Sequence, residues 1–508
     1  MDCTVTGAPP PTFTPPIFTS LVSLLAISKN ILQNATCFHP INHGLDRQPE
    51  RIVSSFVMKN MLIEEIAGIG PTEAFLALRG LEHPFVLNGS YSSGSRYSYA
   101  GAGPLKVVKT EGGLTMIDGR PSGDPDPFEA ISRIIGENRS SNGPFPFNSG
   151  VVAYFSYDLK GLIEPGISFC AGKKGLGIPD CMAGFYDPVF VYDHREGKGF
   201  LVSSTGDRRR FSSFLERLRH GQYKAEAALS RALEVRSDIT KDEYISAIKK
   251  AKEYITAGDI YQINISQRLS ISWSGDPFSL YLSLIDRYPA PYGAFMDYGA
   301  FQIISNSPEC LLRIREGMAE TCPIKGTRKR GNTPQEDGSL IEELKASRKE
   351  SAEHVMIVDL ERNDLGRISV PGTVEVSSFA AVETYPHLHH MVSTVRGRIK
   401  EGITAPLALK HLFPGGSITG APKIRAMEII DELERSARSV YTGGIGWFDI
   451  GGGADVSMAI RTGIYREGVL HLSVGGGIVA DSVPEEEYDE TILKARDFLE
   501  SLGTGGPA

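Results

Sequence analysis

The stretch from Thr240 to Arg268 constrains the fold most, because two periodicities follow one another without a break. Thr240 and Glu243 have the spacing of a capping box, in which hydroxyl and carboxylate each satisfy a free backbone N–H. Tyr244, Ala247, Ile248, Ala251, Tyr254 and Ile255 then recur at helical spacing, and Gly258 ends the run. From Gly258 the chain turns into a strand in which Tyr261, Ile263 and Ile265 share one face. A capped helix running straight into a strand predicts a mixed α/β fold.

Elsewhere the pattern is that of a sheet, beginning near Phe75. Leu105 to Thr110 and Leu114 to Ile117 flank Glu111-Gly-Gly113 as a hairpin. Val189 to Tyr192 and Phe200 to Ser203 flank a second, and Gly150 to Leu159 suits a buried strand. Residues 205–238 are charged and helical in pattern. The predicted organisation is a poorly packed extension over 1–50, an N-terminal lobe over 51–215, a connecting segment over 216–238 and a catalytic domain over 239–505. In the extension, the apolar run from Ile17 to Ile27 has eleven residues, short of the ~20 that span a bilayer. No basic region precedes it, so neither a secretory signal nor a membrane span is expected. Net charge is −8 and the pI about 5.9, which argues against a nucleic-acid partner. The six cysteines show no C-x-x-C pair, so reduced thiols in a cytoplasmic protein are expected.

Several groups carry chemistry. Lys325 lies between Pro323-Ile324 and Gly326-Thr327. A lysine among apolar and small residues can be desolvated, which lowers its pKa and frees a nucleophilic amine. A basic turn is the plainer reading, since Arg328, Lys329 and Arg330 follow. Ser339 to Leu360 reads as a helix with Glu350 and Glu353 one turn apart. A second helix, with Ser482 as N-cap and Glu485 completing its capping box, carries Glu487 and Glu490 at the same spacing. If the fold brings the two pairs together, the gathered charge calls for a hard cation such as Mg²⁺. Phe413 to Arg425 is a glycine-rich loop entering a helix along whose apolar face Ile424, Met427 and Leu433 repeat; it matches neither nucleotide fingerprint. Ala454 to Arg461 alternates as a strand with Arg461 on its polar face, a fork for a carboxylate. Gly475-Gly-Gly477 reads as a turn whose N–H groups could meet an anion. His387, His389 and His390 lack a zinc pattern and suggest one working histidine instead.

From about Thr240 to Leu502 the chain resembles the chorismate-binding enzymes, which include the large subunits of anthranilate and aminodeoxychorismate synthases and the isochorismate and salicylate synthases. Seven motifs, in order, carry the resemblance: Gly258-Asp-Ile-Tyr-Gln262, Ser307-Pro-Glu309, Pro323-Ile-Lys-Gly-Thr-Arg328, Asp359-Leu-Glu-Arg-Asn-Asp-Leu-Gly-Arg367, Gly416-Ser-Ile-Thr-Gly-Ala-Pro-Lys423, Ala459-Ile-Arg-Thr462 and Gly475-Gly-Gly-Ile-Val-Ala-Asp-Ser482. The lobe before residue 215 resembles the family more loosely. The resemblance implies two large antiparallel sheets packed face to face with helices outside. It implies Glu353 and Glu490 as direct Mg²⁺ ligands, supported by Glu350 and Glu487. The ring carboxylate of chorismate would lie on that metal, against backbone around Gly326 and Thr327 and at Gly475, Gly476 and Gly477. Tyr441 and Arg461 match residues that hold the enolpyruvyl carboxylate, Thr419 and His390 line the ring, and Glu309 matches a candidate general acid.

Within the family, Pro-Ile-Lys-Gly-Thr at 323–327 has the form of the aminodeoxychorismate synthase branch. That implies Lys325 as the nucleophile, and 4-amino-4-deoxychorismate, a precursor of 4-aminobenzoate and folate, as product. Anthranilate synthases usually carry alanine there, and that branch is the alternative; a chorismate-binding subunit without catalysis is a remoter one. Gln262 stands where the isochorismate branch places a water-activating lysine, and an amide is no base at neutral pH. Phe85 to Ser90 lacks the Leu-Leu-Glu-Ser form of tryptophan-regulated members. No cysteine has the glycine-flanked setting of a glutamine amidotransferase nucleophile, Cys170 coming nearest, and the chain ends soon after its last helix. A separate glutamine amidotransferase subunit, delivering ammonia as partner in a heterodimer, is therefore expected.

Overall fold

Strands from both halves of the sequence interleave. A computed structural model describes residues 61–503 except 90–94, 141–142, 168–172, 174 and 222–233. The extension expected over 1–50, and Cys170, lie outside the described residues. Among the described residues the fold consists of two twelve-stranded sheets with antiparallel pairing. One contains Leu62–Ile66, Val189–Asp193, Tyr292–Asp297, Gln262–Ser272 and Val469–Ile478. The other contains Gly150–Phe155, Cys181–Tyr186, Gly444–Asp449, Cys310–Arg315 and Ile324–Lys329.

The sheets pack face to face. Tyr99, Val191, Val202, Met296 and Ile303 of the first meet Val152, Tyr154, Tyr186, Ile445 and Trp447 of the second. Each large apolar side chain so buried contributes roughly 1.5–3 kcal/mol, whereas an exposed ion pair contributes about 0–1. The interlayer core therefore dominates cohesion. Helices cover the outer faces. Pro127–Glu137, Arg348–Ile368 and Ala405–Leu412 lay Phe128, Ile131, Val358, Leu365 and Leu409 on the second sheet. Pro277–Arg287 and Pro484–Ser501 lay Phe278, Leu284, Phe498 and Leu499 on the first. No helix among the described residues is long and apolar enough to cross a membrane.

The capping-box helix spans Lys241–Ala257, with Thr240 and Glu243 bonded reciprocally and Gly258 left-handed at φ 84°. Both predicted hairpins form. Other expectations need correction. Phe75 belongs to the helix Pro71–Leu78, where its ring fills the core. Tyr261 precedes the strand and is 69% exposed, while Ile263 and Ile265 are buried. Ser339 to Leu360 is two helices, Pro334–Ala346 and Arg348–Ile368, because Ser347 leaves the first in an extended conformation and caps the second through Glu350 N–H. Ser482 is no N-cap; Val483 holds that position and Ser482 donates instead to Glu487 at 2.7 Å. Ile424 is 37% exposed and lies off the buried face that Met427 joins. The strand from Ala454 ends at Met458, and Arg461 follows with φ +50°, so alternation does not reach it.

Candidate active site

Gly475, Gly476 and Gly477 are strand residues, not a turn. They oppose Ser266, Ile265 and Asn264 in the ladder between Val469–Ile478 and Gln262–Ser272. Pairing along the whole strand overrides the weak β-propensity of glycine. The missing side chains leave room for others. A Cβ on Gly477 would lie 3.2 Å from both Gln262 Nε2 and Lys325 Nζ, and one on Gly476 would lie 3.3 Å from Glu487 Oε2.

Lys325 reaches this place from Ile324–Lys329, on the other sheet. Its ammonium lies 3.6 Å from Glu353 Oε2, both side chains about one-sixth exposed, at 17% and 16%. Gln262 beside it is fully buried, and neither end of its amide has a hydrogen-bond partner. Asn264 Oδ1, two residues along the strand, is likewise unpartnered. Leaving such a group unsatisfied costs about 1–3 kcal/mol. These amides are therefore poised to bind a ligand with polar edges.

Glu309 lies against the strand of Lys325. It accepts from Ser417 Oγ at 2.7 Å and from the Ile324 N–H. Burial pushes its carboxyl up to about 7, against the Ser417 bond and the Lys325 charge. A carboxyl protonated near neutrality can give a proton to a leaving oxygen. Ser417 is thus the residue of the glycine-rich loop that meets Glu309. Thr419 is fully buried, its hydroxyl donating to the Gly415 and Gly416 carbonyls at 2.9 and 3.2 Å.

The four expected metal-binding carboxylates flank Lys325 from two helices. Each meets a cation or a donor. Glu350 accepts from Arg328 at 2.9 Å, Glu490 pairs with Lys494 at 2.6 Å, and Glu487 lies 4.0 Å from Lys349 on the other helix. Burial opposes ionisation of Glu490, but the charges of Lys494, Lys325 and Lys349 outweigh it and hold its carboxyl below the ordinary range. Among the described residues no group of three or more His, Cys, Asp or Glu is arranged as a finished metal cage. The donor chemistry nevertheless fits a hard divalent cation. Glu350 Oε2 is buried without a partner, 3.1 Å from where a Cβ on Gly326 would stand, and Gly326 adopts φ +76°.

His390 bonds through Nδ1 to Thr327 Oγ1 at 2.9 Å. Burial, and then the Arg461 charge, lower its pKa to about 4, so the ring is neutral at physiological pH. Tyr441 is buried and also feels the Arg461 charge. Arg461 itself is held by Asp497 at 2.6 Å on the last helix. His389 is structural, tied to Thr384 at 2.9 Å and Asp337 at 2.8 Å. Two residues escaped the sequence reading. His354 bonds to Ser393 at 2.6 Å, leaves Nδ1 without a partner, and is lowered to about 4 by burial and then by Lys325. Glu361 is raised to about 8 by burial and then by Asp364. Its signal was present: Glu361 follows Glu353 by eight residues, close to the same helical face.

A profile of the family described as chorismate binding enzyme matches residues 83–500. Anthranilate synthase component 1 of Acetivibrio thermocellus is 40% identical over 438 residues, covering 81% of this chain and 88% of its own. Aminodeoxychorismate synthase component 1 of Bacillus subtilis (strain 168) is also 40% identical, over 421 residues, covering 79% and 88%. The crystal structure of anthranilate synthase component I from Streptococcus pneumoniae TIGR4 superposes with a TM-score of 0.73 at 33% identity, covering 80% of this chain and 92% of that one. With a profile match over residues 83–500 and relatives 40% identical over about four-fifths of its length, the chain belongs to the chorismate-binding enzyme family.

Proposed function

We propose that the chain is the large subunit of an aminodeoxychorismate synthase, converting chorismate and ammonia to 4-amino-4-deoxychorismate. The observation that carries this reading is Lys325, whose amine lies over Gly477 and within the field of Glu309. In the proposed reaction, Lys325 as free amine forms a bond to ring C2 while the ring double bonds shift. The C4–oxygen bond breaks, and the protonated carboxyl of Glu309 gives its proton so that water leaves. Ammonia then bonds to C4, the double bonds shift back and the C2–nitrogen bond to Lys325 breaks, so the lysine leaves as the free amine, while the proton shed by the new C4 ammonium returns to Glu309. Arg461 and Tyr441 would orient the enolpyruvyl carboxylate, and neutral His390 with Thr327 and Thr419 would flank the ring. A Mg²⁺ ion held by Glu353 and Glu490, with Glu350 and Glu487 in support, would supply charge to anchor the ring carboxylate. Ammonia would come from a glutamine amidotransferase partner.

A second reading, anthranilate synthase, draws on relatives of that name at the same 40% identity. There ammonia would attack C2 directly and Lys325 would be a bystander. The test is to incubate the protein with chorismate, Mg²⁺ and an ammonium salt at raised pH, and then to add a separate aminodeoxychorismate lyase. 4-Aminobenzoate appearing only after the lyase supports the proposal. Anthranilate fluorescence without lyase would replace it with the second reading.

A further inference from the structure

Cys310 and Cys322 are paired directly opposite each other, on adjacent antiparallel strands Cys310–Arg315 and Met318–Cys322. Opposed residues in such a ladder have Cα atoms about 4.5–5.5 Å apart, with side chains on one face. Disulfides span about 4.4–6.8 Å between Cα atoms, so the bond could form without moving the sheet far. Cys310 also faces Ser457 on its other side and bonds to Tyr292. Ser457 and Tyr292 line a cavity between the two sheets, which places the thiols on the inner face. The neighbouring residues point the other way: Thr321 reaches Glu361 on an outer helix, and Glu309 reaches Ser417. Glu309 immediately precedes Cys310, and Lys325 follows Cys322 by three residues. The Ile324 N–H that Glu309 accepts from lies between Cys322 and Lys325.

We propose that Cys310 and Cys322 form a reversible cross-strand disulfide that lowers turnover by shifting Glu309, which immediately precedes the first strand, and Lys325, on the strand Ile324–Lys329 that follows the second. The proposal rests on the reading of those two residues as acid and nucleophile. Cys322 is the more accessible thiol and Cys310 is buried. Hydrogen bonding from Cys310, and then the Arg313 charge, hold the Cys322 thiol below its usual value against burial. Cys322, the less buried thiol of the pair, therefore attacks first, through its thiolate form. With hydrogen peroxide as oxidant, its sulfur takes one oxygen and hydroxide leaves, giving a sulfenic acid. Cys310 sulfur then displaces water from that sulfenic acid and forms the S–S bond. Two electrons pass from the thiols to peroxide, which ends as two waters, and a dithiol reverses the change.

The full-length protein would be treated with hydrogen peroxide, alkylated and mapped by peptide mass, with chorismate consumption measured before and after dithiothreitol. The expected result is a Cys310–Cys322 linked peptide and a loss of turnover on the order of 10–10²-fold, the scale of a small misplacement of reacting groups, restored by reductant. Cys322→Ser and Cys310→Ser should keep the reduced rate and lose the reversible response. Cys322→Ser, at the less buried site, serves if Cys310→Ser fails to fold. Two alkylated thiols after peroxide, a disulfide without change in rate, or equal sensitivity in Cys322→Ser would each overturn the proposal. Chorismate consumption is independent of which aminated product forms. A reduced protein that consumes no chorismate would sink the proposed function instead; the switch would then be judged from chorismate affinity, where equal oxidised and reduced values overturn it.

Discussion

Lys325 and Glu353 come from different elements, a strand of one sheet and a helix outside it, and their charged ends stand 3.6 Å apart. Lys325 Nζ also lies 3.2 Å from the point a Cβ of Gly477 would occupy, on the other sheet. The lysine therefore bridges three layers of the fold. That position is the basis for expecting it to take part in chemistry.

Lys325→Ala should fold and still bind chorismate, while amination falls by roughly 10² or more, a common scale for losing a catalytic group. Calorimetric titration with chorismate and a coupled turnover assay separate the two effects. Turnover near that of the unaltered protein would return Lys325 to a structural role.

The raised carboxyl of Glu309 sets a pH dependence. Acting as an acid, it must hold its proton, so kcat should fall as pH rises above about 7, the value to which burial lifts it. Glu309→Gln should lose most activity, and any residual rate should lack that limb. Stability follows from the same shift. The unfolded carboxyl loses its proton near the ordinary 4.5 and the folded one near 7. The folded state thus binds more protons between these values, and the contribution of Glu309 to stability declines as pH rises through that window. Denaturant melts of the protein and of Glu309→Gln across the window would reveal it; identical slopes would contradict the assignment.

Glu353→Gln and Glu490→Gln should abolish turnover while circular dichroism and melting stay close to those of the unaltered protein, and a chelator should do the same reversibly. Unchanged rates under excess chelator would leave the four carboxylates as partners of Lys325, Arg328, Lys349 and Lys494 only.

Gly477→Ala puts a methyl group 3.2 Å from Gln262 Nε2 and Lys325 Nζ. Crowding of this kind costs about 1–3 kcal/mol. The cost falls on the site, so kcat/KM should drop about tenfold or more with little change in melting temperature. A fully active variant would show that the lysine and glutamine ends are free to move aside.

The highly purified chain should aminate chorismate with ammonium at raised pH but not with glutamine, and adding a glutamine amidotransferase subunit should confer glutamine dependence. Glutamine-supported turnover by the chain alone would overturn the expected partner.

Local order was legible in the sequence wherever near neighbours decide it. The capping box at Thr240, both glycine-centred hairpins and the buried strand at Gly150 form because their turns and periodicities act over a few residues. The ordered motifs likewise sufficed to place the chain in its family. Long-range packing decided the rest. Three consecutive glycines resemble a turn until the strand Gln262–Ser272 pairs along them, and Ser482 resembles a cap until Glu487 draws its hydroxyl away. The shift of Glu309 toward neutrality was likewise hidden from its neighbours in sequence. It arises because Ser417, 108 residues away, and the strand of Lys325 enclose that carboxyl. Desolvation is a property of the assembled surroundings, and only the tertiary structure supplies them.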